Sequence, residues 1–366
     1  MSKMFLGDVC LPESSNIAQK DLTDKDGQYP IYGASGLISR VNFYRQECEY
    51  IAVVKDGAGI GRVFLLPPYS SVIGTMQYIL PKPNIDVHYL YFSMQFMNLA
   101  KYYSGSTIPH IYFKNYKHEP IKLPPLEKQR EIAATLETIK QAEDNLNEQI
   151  MRLDELVKSR FVEMFGDPVT NPMGWDIQKL SDLSHKISDG VHAKPNYTQS
   201  GKPFISVVNI NKGILDFKEC KYVSEEDYLK MIKSTRPEKG DVLYTKVGAT
   251  YGIPTYVATD KDFCLYVSVC LIKPMHEVID AEFLTESMRL PYVKHQADRR
   301  IRGIGVPDLH LNQIREFQIL TPPLNRQKEF VDFIHQVDKS KLVLRQLLEK
   351  QQTLKAALMQ EYFAAH

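Results

Sequence analysis

The chain has 366 residues, which is enough for two domains of ordinary size, each with its own core. Its formal net charge of +1 argues against a protein that binds any nucleic acid through charge alone, but it does not exclude local basic patches. The five cysteines form no C-x-x-C pair, which excludes a zinc ribbon and a dithiol redox site and fits buried thiols in a reducing cytosol.

The first part of the chain, residues 1–123, has the pattern of a strand-rich domain. Short apolar runs begin at Tyr50 and at Arg62, and each run ends at a cluster of glycine or proline. Such punctuation between β-branched and aromatic residues predicts strands joined by loops. The segment that begins at Tyr89 is predicted to be a short helix instead.

From Pro124 the pattern changes to a heptad repeat that predicts a long helix seeking a partner helix. The helix is expected from about Glu127 to Glu163, roughly 55 Å at 1.5 Å per residue, and Gly166-Asp-Pro is expected to end it. One seam position is polar, Glu143, and the apolar seam positions are Ile132, Leu136, Ile139, Leu146, Ile150, Leu153 and Val157.

Residues 166–321 return to short apolar runs and turns, with strands predicted over 203–210 and 241–245. A second heptad repeat follows in residues 322–366, with the polar residue Lys341 at one seam position. Near its end, Leu354 and Leu358 are expected to replace the polar Gln351 and Lys355 in the seam, which would need a local stutter.

The two halves are copies of one unit, offset by 198 residues. Pro109 matches Pro307, Pro124 matches Pro322, and Gln129 matches Gln327, and the match extends to Phe165 and Phe363. Glu143 and Lys341 also differ by 198, so both polar interruptions occupy the same heptad step. If a pseudo-two-fold axis packs the helices antiparallel, their midpoints meet and these two charges approach each other; otherwise both point to solvent.

A glycine-rich loop also occurs in both halves, from Lys55 to Gly61 and from Lys246 to Gly252. It lacks the P-loop pattern, so a tight turn between strands is favoured over a phosphate cradle. In that interpretation Lys55 and Lys246 reach towards phosphate or base edges.

A chain built from two copies of one unit usually binds a partner that is itself two-fold, and duplex DNA is the obvious such partner. Two further loops carry candidate contacts with DNA. Arg299, Arg300 and Arg302 precede the second Gly-x-x-x-Pro segment, and arginine suits bidentate contacts with guanine or phosphate. His192 and Lys194 lie in a polar loop that begins at Asp189. A solvated helix end and a solvated loop are the alternatives for these two groups.

Several kinds of catalytic or membrane-associated sequence are missing. There is no nucleophile elbow, no H-E-x-x-H, no Asn-Pro-Pro-Tyr/Phe tetrapeptide, no histidine spacing suited to a metal, and no run of about 18 apolar residues. We therefore expect a cytoplasmic binding protein without a membrane partner, a cofactor or a metal of its own.

These motifs occur twice and in a fixed order, and with them the chain resembles the specificity subunit of type I restriction–modification systems. The resemblance depends on Pro-Pro-Leu-x-x-Gln at the start of each long helix, at Pro124 and Pro322, and on the Gly-x-x-x-Pro segments at Gly105 and Gly303. It also depends on the segment Arg160-Phe-Val-Glu-Met-Phe-Gly-Asp-Pro and on the Asp189-Gly-Val-His loop. It covers nearly the whole chain.

The resemblance implies an α+β fold: two mixed α/β target-recognition domains (1–123 and 166–321) separated by two long helices (124–165 and 322–366) that form an antiparallel coiled coil. Each domain would recognise one half of a bipartite target in double-stranded DNA. The helices would set the spacer and dock two modification subunits, which would hold the methyl donor and carry out the chemistry; restriction subunits, with their nucleotide, could join. The chain itself would not be an enzyme.

The candidate DNA contacts are polar or aromatic residues in the repeated loops: Lys55, Arg62, His110, Tyr112, Lys114, His192, Lys194, Lys246, Thr250, Tyr251, Arg299, Arg300, Arg302 and His310. Three alternatives to the specificity subunit stay open at this point. One is a specificity module of another restriction–modification type, the second is a coiled-coil scaffold that binds no DNA, and the third is an enzyme with its site near Asp189.

Overall fold

The computed structural model describes residues 4–22, 27–105, 109–192, 195–301 and 305–364. The chain divides into two compact units, one formed by residues 1–149 with 344–366 and the other by residues 150–343. Each long helix therefore contributes one part to each unit.

The first unit contains two small sheets. The four-stranded sheet has the antiparallel order β1-β7-β4-β5, and the three-stranded sheet has the order β3-β2-β6, in which β2 and β6 are parallel. The predicted strands at Tyr50 and Arg62 are confirmed as β4 and β5. The strands are β1 (Cys10–Ser14), β2 (Tyr29–Gly33), β3 (Gly36–Val41), β4 (Tyr50–Val54), β5 (Val63–Leu66), β6 (Ser71–Val72) and β7 (Met76–Pro81).

Three short helices complete the globular part of the first unit: α1 (Leu6–Val9), α2 (Val87–Phe96) and α3 (Phe113–Tyr116). The predicted helix near Tyr89 is α2, and the Asp86 side chain caps it by accepting from the Tyr89 N–H at 2.9 Å. Strand β4 is interior to its sheet and wholly apolar, so all five of its residues are buried.

The second unit repeats this topology with every strand number raised by eight. Its sheets have the orders β9-β15-β12-β13 and β11-β10-β14, with β10 and β14 parallel, and an extra pair β8-β16. The strands are β8 (Asp176–Lys179), β9 (Ser184–Asp189), β10 (Lys202–Ile205), β11 (Lys221–Val223), β12 (Val242–Thr245), β13 (Pro254–Tyr256), β14 (Cys264–Leu265), β15 (Val269–Pro274) and β16 (Gln318–Thr321).

The strand predicted over 203–210 is half right. Only Lys202–Ile205 is a strand, because the Asn209 side chain accepts from the Ser206 N–H at 3.1 Å and turns the following residues into a short 3-10 helix, Val207–Asn209. The helices of the second unit are α4 (Glu225–Met231), α5 (Ala281–Arg289), α6 (Pro291–Asp298) and α7 (Leu311–Arg315).

The two predicted long helices are present as Leu126–Phe165 and Leu324–Phe363, each of 40 residues. In the first unit, Lys122 Nζ contacts the Glu361 carbonyl at 3.3 Å and Glu143 pairs with Lys355. Contacts near the start of one helix thus fall near the end of the other, which is the antiparallel arrangement. The second unit shows the same direction, because Asp154 pairs with Lys341 and, further along the first helix, Arg160 lies over the ring of Phe333, which is earlier in the second helix.

The predicted approach of Glu143 to Lys341 is wrong. Glu143 Oε2 lies 2.7 Å from Lys355 Nζ, and Lys341 Nζ lies 2.6 Å from Asp154 Oδ1. Lys355 is fourteen residues beyond Lys341, so the helix register differs by two heptads from one in which the midpoints meet. The alternative that both side chains point to solvent is also wrong, because only 12% of the Glu143 side chain and 10% of the Lys341 side chain is exposed.

The expected stutter near the end of the second long helix is wrong as well. From 337 to 358, the positions that are not exposed keep a regular spacing of four and three: 337, 341, 344, 348, 351, 355 and 358. Lys355 keeps its seam position because it pairs with Glu143, and Leu354, which was expected in the seam, is 47% exposed.

The Pro-Pro-Leu-x-x-Gln motif has a clear structural role in the first unit. Gln129 is buried at the start of its helix, where its Oε1 accepts from the Asp86 N–H at 3.0 Å and its Nε2 donates to the Pro124 carbonyl at 2.9 Å. Since Asp86 caps α2, the Gln129 side chain connects a long helix to a short helix of the domain.

Gln327 makes the same clamp in the second unit. Its Oε1 accepts from the Asp280 N–H at 2.8 Å, and its Nε2 donates to the Pro322 carbonyl at 2.7 Å. Asp280 caps α5 through the Phe283 N–H. The motif is therefore repeated because each domain needs the same buried connection to a long helix.

An aromatic residue at the end of each long helix packs against a short helix of a domain. The ring of Phe363 lies 5.3 Å from that of Tyr89 on α2, and the ring of Phe165 lies 5.3 Å from that of Phe283 on α5. Both phenylalanines are buried. The repeat noticed at Phe165 and Phe363 is thus a repeated packing contact.

Candidate nucleic-acid interface

The first glycine loop is joined to the segment that follows Gly105 by two backbone hydrogen bonds. The Gly57 N–H donates to the Pro109 carbonyl, and the Ile111 N–H donates to the Lys55 carbonyl, both at 2.9 Å. Gly57 has φ +84°, which an L side chain rarely adopts. We call residues 55–61 together with 109–114 the first junction.

The second glycine loop is joined in the same way. The Gly248 N–H donates to the Pro307 carbonyl, and the Leu309 N–H donates to the Lys246 carbonyl, both at 2.9 Å, and Gly248 has φ +88°. We call residues 246–252 together with 307–312 the second junction; residues 302–304 before it lie outside the described part of the chain. One backbone frame is thus built twice, and the predicted tight turn is confirmed in both places.

The side chains of the first junction form a connected polar chain. The Asp56 carboxylate contacts the Lys55 ammonium, and its Oδ1 lies 2.6 Å from His110 Nδ1. Burial alone would raise the pKa of Asp56, but the hydrogen bonds and charges of Lys55 and His110 outweigh burial and lower that pKa. The His110 ring is thereby held in one orientation.

Beyond His110, alternate residues of the first junction form an exposed ladder. The Tyr112 ring stacks on His110 with centroids 6.3 Å apart and planes at 21°, and Lys114 Nζ lies 5.3 Å from the Tyr112 ring centre. Tyr112 is 48% exposed. Aromatic faces flanked by cations suit contacts with bases and phosphates. We call positions 110, 112 and 114 the first ladder.

Arg62 is exposed, but its guanidinium folds back onto its own loop. Its Nε donates to the Gly59 carbonyl at 3.2 Å, and its Nη2 lies 3.5 Å from the Ala58 carbonyl. A guanidinium has five N–H donors, so exposed Arg62 keeps donors for a phosphate beside the first ladder.

In the second junction, the equivalent lysine is placed differently. Lys246 is 5% exposed, its Nζ lies 3.3 Å from Asp189 Oδ2, and Asp308 lies 4.0 Å away. Burial raises the pKa of Asp189, and Lys246 offsets that effect only in part. Lys246 therefore stabilises the loop from inside, whereas Lys55 is at the surface edge of its own junction.

The positions equivalent to the first ladder are Asp308, His310 and Asn312, each exposed and each offset by 198 from 110, 112 and 114. We call them the second ladder. The backbone N–H of His310 donates to Gln313 Oε1 at 2.9 Å, which fixes the start of α7. The two ladders therefore present different side chains on one frame.

Some of the remaining candidate DNA contacts of the second unit already bind other residues of the chain. Thr250 is exposed, whereas the Tyr251 hydroxyl donates to Asp298 at 2.6 Å and its ring lies 4.0 Å from Lys294 Nζ. Arg299 is exposed, but Arg300 donates to the Gln296 and Glu316 carbonyls. Arg300 thus connects the backbone at Gln296 to the backbone at Glu316.

Two predicted contacts, Lys194 and Arg302, lie outside the described residues. His192 is described: 79% of its side chain is exposed, and its Nε2 lies 3.9 Å from Asp189. Within the part of the chain that is described, no group of His, Cys, Asp or Glu is arranged to hold a metal ion.

Sequence reasoning missed the role of the acids that organise both junctions: it did not single out Asp56, and it named Asp189 without its partner Lys246. Asp56 directly follows Lys55, but the matching position of the second loop is Val247, so the repeat gave no signal for this acid. Asp189 is separated by more than fifty residues from Lys246, and no spacing in the sequence shows that the fold brings them together.

The family described as "Type I restriction modification DNA specificity domain" matches residues 1–153 and 172–355. These two ranges include most of the 366 residues. The chain therefore belongs to this family, as its motifs predicted.

A relative and solved structures are similar to this chain over most of its length. The type I restriction enzyme MjaVIII specificity subunit of Methanocaldococcus jannaschii is 23% identical over 326 residues, which cover 84% of this chain and 76% of that protein. The crystal structure of an S subunit from M. genitalium has a TM-score of 0.62 and 16% identity, covering 100% of this chain and 96% of that one.

A further structure, from work on complex assembly and conformational transition of the type I R-M system, has a TM-score of 0.54 and 17% identity, covering 98% of this chain and 96% of that one. At these identities the likeness shows the fold, and it confirms the predicted fold class. None of the described helices combines the length and the apolar character needed to cross a bilayer.

Proposed function

We propose that this chain is the DNA-recognition subunit of a type I restriction–modification complex. In this proposal each domain recognises one half of a bipartite target in double-stranded DNA, and the chain performs no catalysis itself. The methyl donor, the nucleotide and the reaction belong to partner subunits. Family membership and the named relatives support the specificity role.

The observation that carries the bipartite target is the duplicated junction. Both junctions use the same two backbone hydrogen bonds, yet the ladders differ: His110, Tyr112 and Lys114 in one, and Asp308, His310 and Asn312 in the other. Each base pair presents its own pattern of donors and acceptors in the major groove, and side chains recognise it with complementary groups. Different side chains on one backbone frame therefore suit two different half-sites.

The long helices would set the spacer and dock two modification subunits, with restriction subunits as a further partner. A helix of 40 residues extends over about 60 Å, which exceeds the roughly 34 Å of one turn of duplex. Both helices expose apolar side chains outside the seam. They are Met151, Leu156, Val162, Leu342, Val343, Leu347 and Leu354.

Contiguous exposed apolar groups mark a protein contact, and Leu342, Val343 and Leu347 lie close together on one helix. The double variant Leu342→Glu with Val343→Glu should therefore abolish co-purification with the modification subunit. The matched control, Ser340→Glu with Gln346→Glu, introduces the same charge at neighbouring exposed positions and should weaken co-purification much less. Equal loss in both variants would contradict docking through this apolar surface.

The direct test of the function is methylome sequencing of a host that carries this chain with its modification subunit, and of the same host without the chain. A bipartite methylated motif that depends on the chain is the expected result. If the complex forms but no such motif appears, the chain is a scaffold and the proposal fails.

A further inference from the structure

A cavity of about 990 Å³ lies on the second unit between strand β9 and helix α7. β9 is an edge strand of its sheet, so the cavity is open along one side of the domain. None of the candidate positions derived from the sequence, apart from His192, lines it. We call it the β9 groove.

The β9 groove is lined mainly by basic side chains and hydroxyl groups. The basic side chains are His185, Lys186, His192 and Arg315, and the hydroxyl groups come from Ser181, Ser184, Ser188, Ser234 and Thr235. Among the described lining residues, Asp189 is the only acid, and Lys246 lies 3.3 Å from it. The groove is therefore electropositive in a chain whose net charge is only +1.

Lys186 and Arg315 are held in place without neutralisation of their charge. Arg315 Nη2 donates to the Ile187 carbonyl at 3.0 Å, and Lys186 Nζ donates to the Ser234 carbonyl. Within the described parts of the chain, neither side chain has a carboxylate within 4.0 Å. Two positioned cations without acidic partners favour an anionic ligand.

The position of Arg315 connects the groove to the second ladder. Arg315 ends α7, the short helix that begins directly after His310. The position 198 residues earlier is Lys117, so both repeats have a cation at this step. Phosphate contacts fix the register of a protein on DNA, and base contacts specify the sequence. One short helix would thus supply both kinds of contact.

We propose that the β9 groove binds the sugar–phosphate backbone next to the second half-site, with Lys186 and Arg315 as the contacting cations. This inference rests on the proposed function. It assigns the groove a role that is independent of base sequence, and it leaves recognition of the bases to the second ladder.

The test uses the complex of the full chain with its modification subunits and measures its affinity for two duplexes over a series of salt concentrations. One duplex carries the methylated motif, and the other has the second half-site scrambled. The variant is Lys186→Gln with Arg315→Gln. The control is Lys218→Gln with Lys239→Gln, which removes the same charge from exposed positions of the second unit outside the groove.

The groove variant should lose affinity for both duplexes by a similar factor, about tenfold or more, and the slope of log affinity against log salt should fall by about 2. The control should keep the wild-type slope. The methylated motif should stay unchanged in both variants.

A groove variant with the slope of the control would overturn the proposal, and so would a change in the methylated motif, because the groove would then recognise bases. Arg315→Lys keeps the charge and should keep the slope; a loss of slope in Arg315→Lys would mean that the bond to Ile187, not the charge, matters. If the wild-type complex does not bind the motif duplex, the proposed function fails, which is a separate outcome.

Discussion

The two junctions share one backbone and have opposite electrostatics. In the first, Lys55 and His110 lower the pKa of a partly exposed carboxyl, Asp56. In the second, burial raises the pKa of Asp189 although Lys246 is beside it. The comparison teaches that the repeated unit is a scaffold defined by glycine turns and two hydrogen bonds. The side chains mounted on that scaffold differ in each copy.

The largest effect on stability is expected where the two units are alike, at the glutamine clamps. Gln129→Ala and Gln327→Ala should each lower the free energy of unfolding by about 3 kcal/mol, because each leaves buried backbone groups without partners. Denaturant unfolding followed by circular dichroism measures the loss.

The controls are Gln141→Ala and Gln336→Ala, exposed positions on the same two helices, which should change stability by less than about 0.5 kcal/mol. If one clamp variant behaves like its control while the other does not, the two units are not supported in the same way.

A smaller effect is expected at the helix register. Glu143→Lys should cost about 2 kcal/mol, because it places two cations together at a largely buried seam position. Adding Lys355→Glu should restore most of the loss in a double-mutant cycle measured by thermal unfolding. Adding Lys341→Glu instead should restore nothing. Rescue by Lys341→Glu would mean that the midpoints of the helices meet after all.

The smallest effect concerns pH, and its sign should differ between the junctions. The pKa of Asp56 is lowered, so its contribution to stability is present above the ordinary value of 3.8 and is lost as the pH falls through the folded-state pKa. Asp56→Asn should therefore cost stability at pH 7, by less than about 1 kcal/mol, and nothing in strong acid.

The pKa of Asp189 is raised, so ionisation of its carboxyl opposes folding as the pH rises above 3.8. The stability of Asp189→Asn relative to the wild type should therefore improve from pH 4 to pH 7. The fluorescence of Trp175, the one tryptophan of the chain, follows unfolding of the second unit, and amide exchange over residues 50–62 follows the first junction. The same pH trend for both variants would contradict the electrostatic difference.

Much of the fold followed from the sequence because local patterns determine it. The heptads predicted two long helices, the family resemblance implied that they pack antiparallel, and the offset of 198 indicated two copies of one domain. The register of the helices did not follow, because a lysine such as Lys355 looks like a break in an apolar seam until its partner Glu143 is known. The β9 groove did not follow either, since Lys186 and Arg315 are far apart in the chain and belong to no motif.

The measurement that tests the central claim most directly is methylome sequencing with an exchanged ladder. Asp308→His, His310→Tyr and Asn312→Lys together place the side chains of the first ladder on the second junction. A matched control is Glu226→Gln with Lys230→Gln and Lys233→Gln, which alters exposed residues in and next to α4. We predict that the second half of the methylated motif changes, that the first half does not, and that the control keeps both halves. Methylation of the unchanged wild-type motif by the exchanged variant would contradict recognition by the ladders.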